Sequence, residues 1–252
     1  MLLAIDAGNT NVTFAVFDGL SRKSLWRIKT DAARTADEYI SFLFPLFSLS
    51  NLSPLNISDV IISSVVPDAN FSLRLFCHQA FQIRPLFIGK DIIDLGIKIK
   101  TDKPEDVGAD RLVNAIGVIE YYKAPAIVVD FGTATTFDIV DHSESFAGGV
   151  IAPGVNLSLN ALHMAAAKLP KVSISRPLKA IGTNTVSAMQ SGIYWGYVEL
   201  VSGMLRRIKA EMVGNVTVIA TGGLSPLFQE SIDSIDIVDE DLTLKGLLTI
   251  HS

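Results

Sequence analysis

A chain of 252 residues with 49% hydrophobic and 19% charged side chains can bury substantial cores, which excludes disorder, and its length fits one large domain or two smaller ones. The net charge of −5 carries no basic excess and argues against a general nucleic-acid binder. A single cysteine, Cys77, excludes an intrachain disulfide and a cysteine-rich zinc site; it reads as a packed small hydrophobe and suits a reducing cytoplasm.

The chain is expected to open on a hairpin: the apolar run Leu2–Ile5, the polar turn Asp6-Ala7-Gly8-Asn9-Thr10-Asn11, then the β-branched run Val12–Phe17. Asp6 interrupts the apolar start at once, so no secretory signal is visible. Ile40–Leu49 is too short to span a bilayer, and "DEYISFLFPLF" predicts a helix that Pro45 kinks or ends. "DVIISSVVP" (Asp59–Pro67) reads as a buried strand ending in a turn, Ala69–Phe81 as a helix, and "RPLFIG" as a short strand. Pro104–Tyr122 is a helix with its lead-in. Leu112, Ala115, Ile116 and Ile119 share one face, and Asp110, just behind Gly108, is an N-cap or first-turn acid.

Ala126–Asp130 then repeats the first strand and Phe137–Val140 its partner. Gly148–Pro170 adds a strand, a turn and a helix. Thr183–Met212 is a long helical stretch in which Gly192, Gly196 and Gly203 allow close packing or a break. Val216–Phe228 is a strand, a Gly-Gly turn and a helix start. Tyr194 and Trp195 are core or dimer contacts. His78, His142, His163 and His251 have no metal-ligand spacing. The fold class expected is α/β, with two duplicated lobes at residues 1–118 and 119–252 and a nucleotide cleft between them.

The duplication carries the chemistry. "LLAIDAGNTNVTFAVFD" and "AIVVDFGTATTFDIVD" each place an acid at a strand end, glycine at the bend, and threonine or asparagine around it. Glycine lets backbone N–H groups approach an anion, and the neutral side chains add donors. The acid repels phosphate, so it works through a divalent ion or a water. Two such hairpins, with the third turn Thr221-Gly222-Gly223, fit a nucleotide held along its phosphates and at its adenine–ribose end. No glycine-rich loop ends in Lys-Ser or Lys-Thr, so this is not a Walker P-loop; it is also not a Rossmann fingerprint.

These hairpins resemble those of the superfamily of acetate and sugar kinases, actin and heat-shock ATPases. Within it the chain resembles the type III pantothenate kinases. Asp6-Ala7-Gly8-Asn9-Thr10 is similar to that family's first phosphate motif, and Gly108-Ala109-Asp110-Arg111 with Asn114-Ala115 to its substrate and catalytic motif. Asp130-Phe131-Gly132-Thr133-Ala134-Thr135-Thr136 is similar to its second phosphate motif. "GGVIAPGV", "AAAKLP", "NTVSAMQSG", "ATGG" and "DLTLKGLL" resemble family blocks in the right order along essentially the whole chain. Two positions depart from the pattern: Thr101, where many members carry an aromatic, and Thr183, where a basic residue is common.

The resemblance implies ATP-dependent phosphorylation of pantothenate at its primary hydroxyl, the first committed step toward coenzyme A. It also implies a cytoplasmic homodimer, Mg²⁺ with ATP, and a monovalent cation, K⁺ or NH₄⁺. Asp110 is then the catalytic base, which phosphoryl transfer needs to orient the acceptor hydroxyl and take its proton. Arg111 could grip the pantothenate carboxylate bidentately. ATP contacts fall on Asp6, Ala7, Gly8, Asn9, Thr10, Asn11, Val12, Thr13, Thr133, Gly222 and Gly223. Substrate contacts fall on Gly108, Ala109, Asp110, Arg111 and Thr185, the last reaching across the dimer. Asp6 acts on Mg²⁺ through water, and Asp130 holds the monovalent cation. Two other readings compete: a kinase for another small hydroxylated acid or sugar, and a regulatory protein that binds nucleotide without turnover.

Overall fold

A computed structural model describes residues 1–89, 95–165 and 169–252. Ala166–Lys168 of the "AAAKLP" block, inside the helix expected up to Pro170, lie outside the described residues. The chain divides into two compact units. One joins Met1–Ile97, Asp102–Glu120 and Leu242–Ser252; the other joins Lys98–Thr101 and Tyr121–Asp241.

In the first unit β1 (Leu2–Ala7), β2 (Asn11–Asp18) and β3 (Ser21–Lys29) form an antiparallel meander. Then come α1 (Ala36–Leu49), β4 (Asp59–Ser64), α2 (Asn70–Phe81), β5 (Leu86–Phe87) and α3 (Ala109–Tyr121). The sheet order is β3-β2-β1-β4-β5, with β4 parallel to β1 and β5 parallel to β4. Strand β1 is central and buried on both faces, which is why its apolar run does not alternate with polar residues. Leu3 and Ile5 join a cluster with Phe14, Tyr39, Leu43 and Phe76, whereas Ala4 joins Ile61, Ala109 and Val113 on the opposite face. Each large apolar side chain so buried contributes roughly 1.5–3 kcal/mol.

Helix α1 starts on a capping box: the Thr35 hydroxyl accepts from the Glu38 N–H while the Glu38 carboxylate accepts from the Thr35 N–H. It does not end at Pro45 but runs on to Leu49. Leu43 and Phe47 are fully buried on either side of Pro45, and that packing outweighs the roughly 3 kcal/mol a helical proline costs.

The second unit repeats the plan. Strands β6 (Ala126–Phe131), β7 (Ala134–Val140) and β8 (Phe146–Pro153) form the meander. Then follow α4 (Val155–Ala165), α5 (Thr185–Glu211), β9 (Thr217–Thr221), α6 (Ser225–Gln229) and β10 (Ile237–Val238). The order β10-β9-β6-β7-β8 is the first sheet's order with β6 in the place of β1 and β9 in the place of β4. The three glycines of α5 do not break it; it is one continuous helix, and Tyr194, Tyr197, Val201 and Leu205 pack its inner face against Phe131 and Phe228. Tyr194 is a core residue, its hydroxyl bonded to the Leu227 carbonyl and to Ser231.

Helix α7 (Leu242–His251) belongs to the first unit, although the sequence reading placed residues 119–252 together. Its backbone meets α3 directly. A Cβ on Gly117 would stand 2.9 Å from the Leu242 carbonyl oxygen, and one on Gly246 would overlap the Val113 carbonyl. The Thr243 hydroxyl donates to Asn114 Oδ1 at 2.7 Å. Conversely, the short segment Lys98–Thr101 adds to the second unit. Ile99 bridges to Phe146, and the Lys100 ammonium reaches Asp141 and Ser143. Burial works against the Asp141 carboxylate, but Lys100, Ser143 and the Ser143 and Ser145 N–H groups outweigh it and hold its pKa well below the usual range. Among the described residues no helix is long and apolar enough to cross a membrane.

Candidate active site

In the first hairpin the Gly8 N–H donates to the Asn11 carbonyl at 3.0 Å, which leaves Asn9 and Thr10 as an exposed two-residue tip. Thr30, just past β3, braces it from the side. Its hydroxyl donates to the Gly8 carbonyl at 2.6 Å and its N–H to the Thr10 carbonyl at 2.9 Å. Nothing in the local sequence pointed to Thr30; its role comes from the edge strand β3, whose charged residues hid it. Asp6 is half-buried at the carboxyl end of β1, with Thr13 beside it on β2 and Ser63 on β4.

Helix α3 starts at that same end of the sheet. Strand β5 is parallel to β4, and a Cβ on Gly89, just past β5, would touch the Ala109 side chain at 3.8 Å. Ala109 and Val113 pack on the face that holds Ala4 and Ile61. Since side chains alternate along a strand, Asp6 lies on that face too, at the end where Asp110 begins its helix.

Asp110 is a first-turn residue rather than the N-cap: the Gly108 carbonyl accepts from the Arg111 and Leu112 N–H groups. One Asp110 oxygen accepts from the Arg111 N–H at 2.8 Å, and the side chain bonds to no other described residue. The carboxylate lies back over Gly108, where a Cβ would stand 2.7 Å from Asp110 Oδ1. Burial raises the Asp110 pKa above the usual carboxylate range, opposed by the Arg111 N–H and the Arg111 charge. A half-buried carboxylate with raised basicity and accepting capacity to spare is suited to taking a proton.

The second hairpin is tighter. Gly132 N–H donates to the Ala134 carbonyl at 3.2 Å, so Thr133 alone forms the exposed tip, and the Gly154 N–H braces the Thr133 carbonyl at 3.1 Å. Asp130 sits on β6 between Thr136 on β7 and Thr221 on β9. Gly222, at φ +86, passes so close that a Cβ would stand 2.5 Å from Asp130 Oδ1 and 2.8 Å from the Phe131 carbonyl oxygen. The Phe131 backbone nitrogen would stand 2.8 Å from that Cβ as well, so only glycine fits at this turn. Tyr197 lies beneath this hairpin, its phenol against the Thr135 hydroxyl. Burial raises the Tyr197 pKa, and the Asp130 charge adds to the effect. No sequence motif singled out Tyr197; it sits at an ordinary core position of α5.

Among the described residues no three His, Cys, Asp or Glu side chains gather as a metal cage. Mg²⁺ keeps several waters and takes its other ligands from substrate phosphates and one or two carboxylates, and Asp6 near the carboxyl end of β1 is a carboxylate of that kind. The structure brings Asp6–Thr13, Gly108, Ala109, Asp110 and Arg111 together in the first unit, and Asp130, Thr133, Gly222 and Gly223 in the second. Thr185, exposed as the first residue of α5, stands behind the Asn184 cap. The Thr101 hydroxyl is buried without a partner among the described residues.

A family model for type III pantothenate kinases matches residues 2–207. The chain belongs to that family. A type III pantothenate kinase from Paramagnetospirillum magneticum is 56% identical over 251 residues, covering 100% of this chain and 96% of the relative. One from Rhodospirillum rubrum is 55% identical, with 100% and 98% covered. Among solved structures, the activator of 2-hydroxyisocaproyl-CoA dehydratase from Clostridium difficile, with bound ADPNP, aligns at TM-score 0.57 and 14% identity over 98% of this chain and 91% of its own. At that identity the likeness shows a shared fold and nothing of the substrate. The family's ATP and Mg²⁺ use fits the residues above.

Proposed function

We propose that the chain transfers the γ-phosphoryl group of ATP to the primary hydroxyl of pantothenate, giving 4′-phosphopantothenate and ADP, the first step of coenzyme A biosynthesis. The observation that carries this reading is the family match along the chain, with Gly108–Arg111 intact at the start of α3. Asp110 receives the hydroxyl proton as the new oxygen–phosphorus bond forms and the bond from the γ-phosphorus to the bridging oxygen breaks. Arg111 anchors the pantothenate carboxylate, and Thr185 contacts the substrate.

Asp6 through Thr13, with Thr133, contact the ATP phosphates, and Gly222 with Gly223 the adenosine end. Asp6 would hold Mg²⁺ through water, where the ion neutralises charge on the transferring phosphate. Asp130, at the end of the buried run of β6, holds K⁺ or NH₄⁺.

The protein works as a homodimer. A Cβ on Gly192, Gly196 or Gly203 would meet nothing within 4 Å. Leu157, Met164, Leu178, Ile181 and Val186 are large apolar side chains exposed along the α4–α5 region. An uncovered apolar surface of that kind supports a second copy seated on it.

ADP release, measured with pantothenate and with a panel of sugars and acetate, tests the reaction. Turnover should require pantothenate, and phosphorus NMR should show a phosphate monoester. ADP formed with a sugar and none with pantothenate would overturn the assignment.

A further inference from the structure

The register places each hairpin acid in a row of three across its sheet: Thr13, Asp6 and Ser63 in the first unit, Thr136, Asp130 and Thr221 in the second. Residues paired across neighbouring strands point to the same face, so each carboxylate is flanked by a hydroxyl on both sides. Ser63 differs from the others. It is 0% exposed, and its Oγ has no hydrogen-bond partner among the described residues. It lies on the face packed by Ala109 and Val113 of α3, one strand away from Asp6. A buried hydroxyl without a partner is rare in native proteins, and each instance calls for an explanation.

We propose that Ser63 is a positioning residue for Asp6: its hydroxyl hydrogen-bonds the Asp6 carboxylate in the nucleotide-bound enzyme and fixes that carboxylate for the water shell of Mg²⁺. Neighbouring strands lie about 4.8 Å apart, so a rotation of the Ser63 side chain brings its O–H within reach of the carboxylate. The other Asp6 oxygen can then accept from a metal-bound water. Groups that orient a metal-facing carboxylate typically change affinity or activity about 10–100-fold when removed. The inference rests on Asp6 serving Mg²⁺-nucleotide, and not on pantothenate being the acceptor.

The test uses the full chain with Ser63→Ala, Asp6→Asn and the double variant, and reads calorimetric binding of Mg²⁺·ADP alongside kinetics. Ser63→Ala should leave the ligand-free melting temperature unchanged or raised, since it removes an unpartnered buried hydroxyl. It should weaken Mg²⁺·ADP binding about tenfold and raise the half-saturating Mg²⁺ concentration, with KM for pantothenate unchanged. In the Asp6→Asn background it should add little, because the two residues act as one unit. Wild-type Mg²⁺·ADP affinity in Ser63→Ala, or additive losses in the double variant, would overturn the proposal. A wild-type protein that binds Mg²⁺·ADP but does not phosphorylate pantothenate would refute the substrate instead, and the binding cycle would still judge Ser63.

Discussion

Asp110→Asn separates a base from a residue that only braces the first turn of α3. The amide keeps the size of the carboxylate, and its oxygen can still accept from the Arg111 N–H, now made at 2.8 Å, so the first turn of α3 survives. What is lost is the proton acceptor. General-base assistance is worth about 10²–10⁴-fold, or roughly 2.7–5.4 kcal/mol of barrier, and kcat should fall by that factor while Mg²⁺·ADP still binds. Stability should move the other way. Burial raises the Asp110 pKa, so the folded state holds its proton more tightly than the unfolded chain does. The stability this contributes is full below the unfolded pKa and is lost as pH rises through the folded one. At neutral pH the ionised carboxylate therefore works against folding, and the neutral amide should melt no lower than wild type. In wild type, log(kcat/KM) should climb with unit slope through a pKa above the ordinary carboxylate value, and the variant should lack that limb. Steady-state kinetics against pH and thermal melting check both. Near-wild-type kcat, or a loss of activity that follows a loss of folded protein, would refute the base assignment.

Gly222→Ala forces an L-residue to φ +86 and puts its Cβ 2.5 Å from Asp130 Oδ1; the backbone penalty alone is about 1–2 kcal/mol. The melting temperature should fall and the half-saturating K⁺ concentration should rise, and an unchanged K⁺ response would detach this turn from the cation. For wild type, turnover should be low in Na⁺ and increase with K⁺ or NH₄⁺; equal rates in the three salts would remove Asp130 from cation binding. Sedimentation at micromolar protein should show a dimer, and finding only a 27.2 kDa species would refute the apolar α4–α5 surface as an interface.

The central strands were legible because burial on both faces writes itself as an unbroken apolar run: Leu2–Ile5 and Ala126–Val129 sit in β1 and β6. The polar stretches after them marked the hairpins for the same reason. Strand β3 escaped notice because it is an edge, and "SRKSLWRIK" carries the charges that edges use against stray pairing. Helix α7 was a family block without a place: the contacts that seat it, Gly246 on Val113 and Thr243 on Asn114, link residues distant in sequence. Among candidate site residues, those at turns and helix starts could be read from chemistry and spacing. Thr30, Ser63 and Tyr197 could not, because each earns its place only through strand register or helix packing.

The two halves share one frame, and their differences support dividing the labour between them. The positions that follow the flanking hydroxyls, Ser64 after Ser63 and Gly222 after Thr221, correspond by register. In the first unit that position keeps a side chain, and Ser64 Oγ is occupied within its own turn, accepting from the Val66 N–H at 3.2 Å. In the second, glycine removes the side chain, since Asp130 Oδ1 and the Phe131 backbone nitrogen and oxygen all stand within 2.8 Å of where a Cβ would lie. The first hairpin has the longer tip, the two exposed residues Asn9 and Thr10, and the second the one-residue tip Thr133. A longer tip of neutral residues offers more donors to phosphate, whereas a carboxylate favours a cation. On the proposed reading, Asp6 serves a water-wrapped Mg²⁺ beside phosphate and Asp130 a monovalent cation. The glycine at 222 follows from the close approach of Asp130 and Phe131.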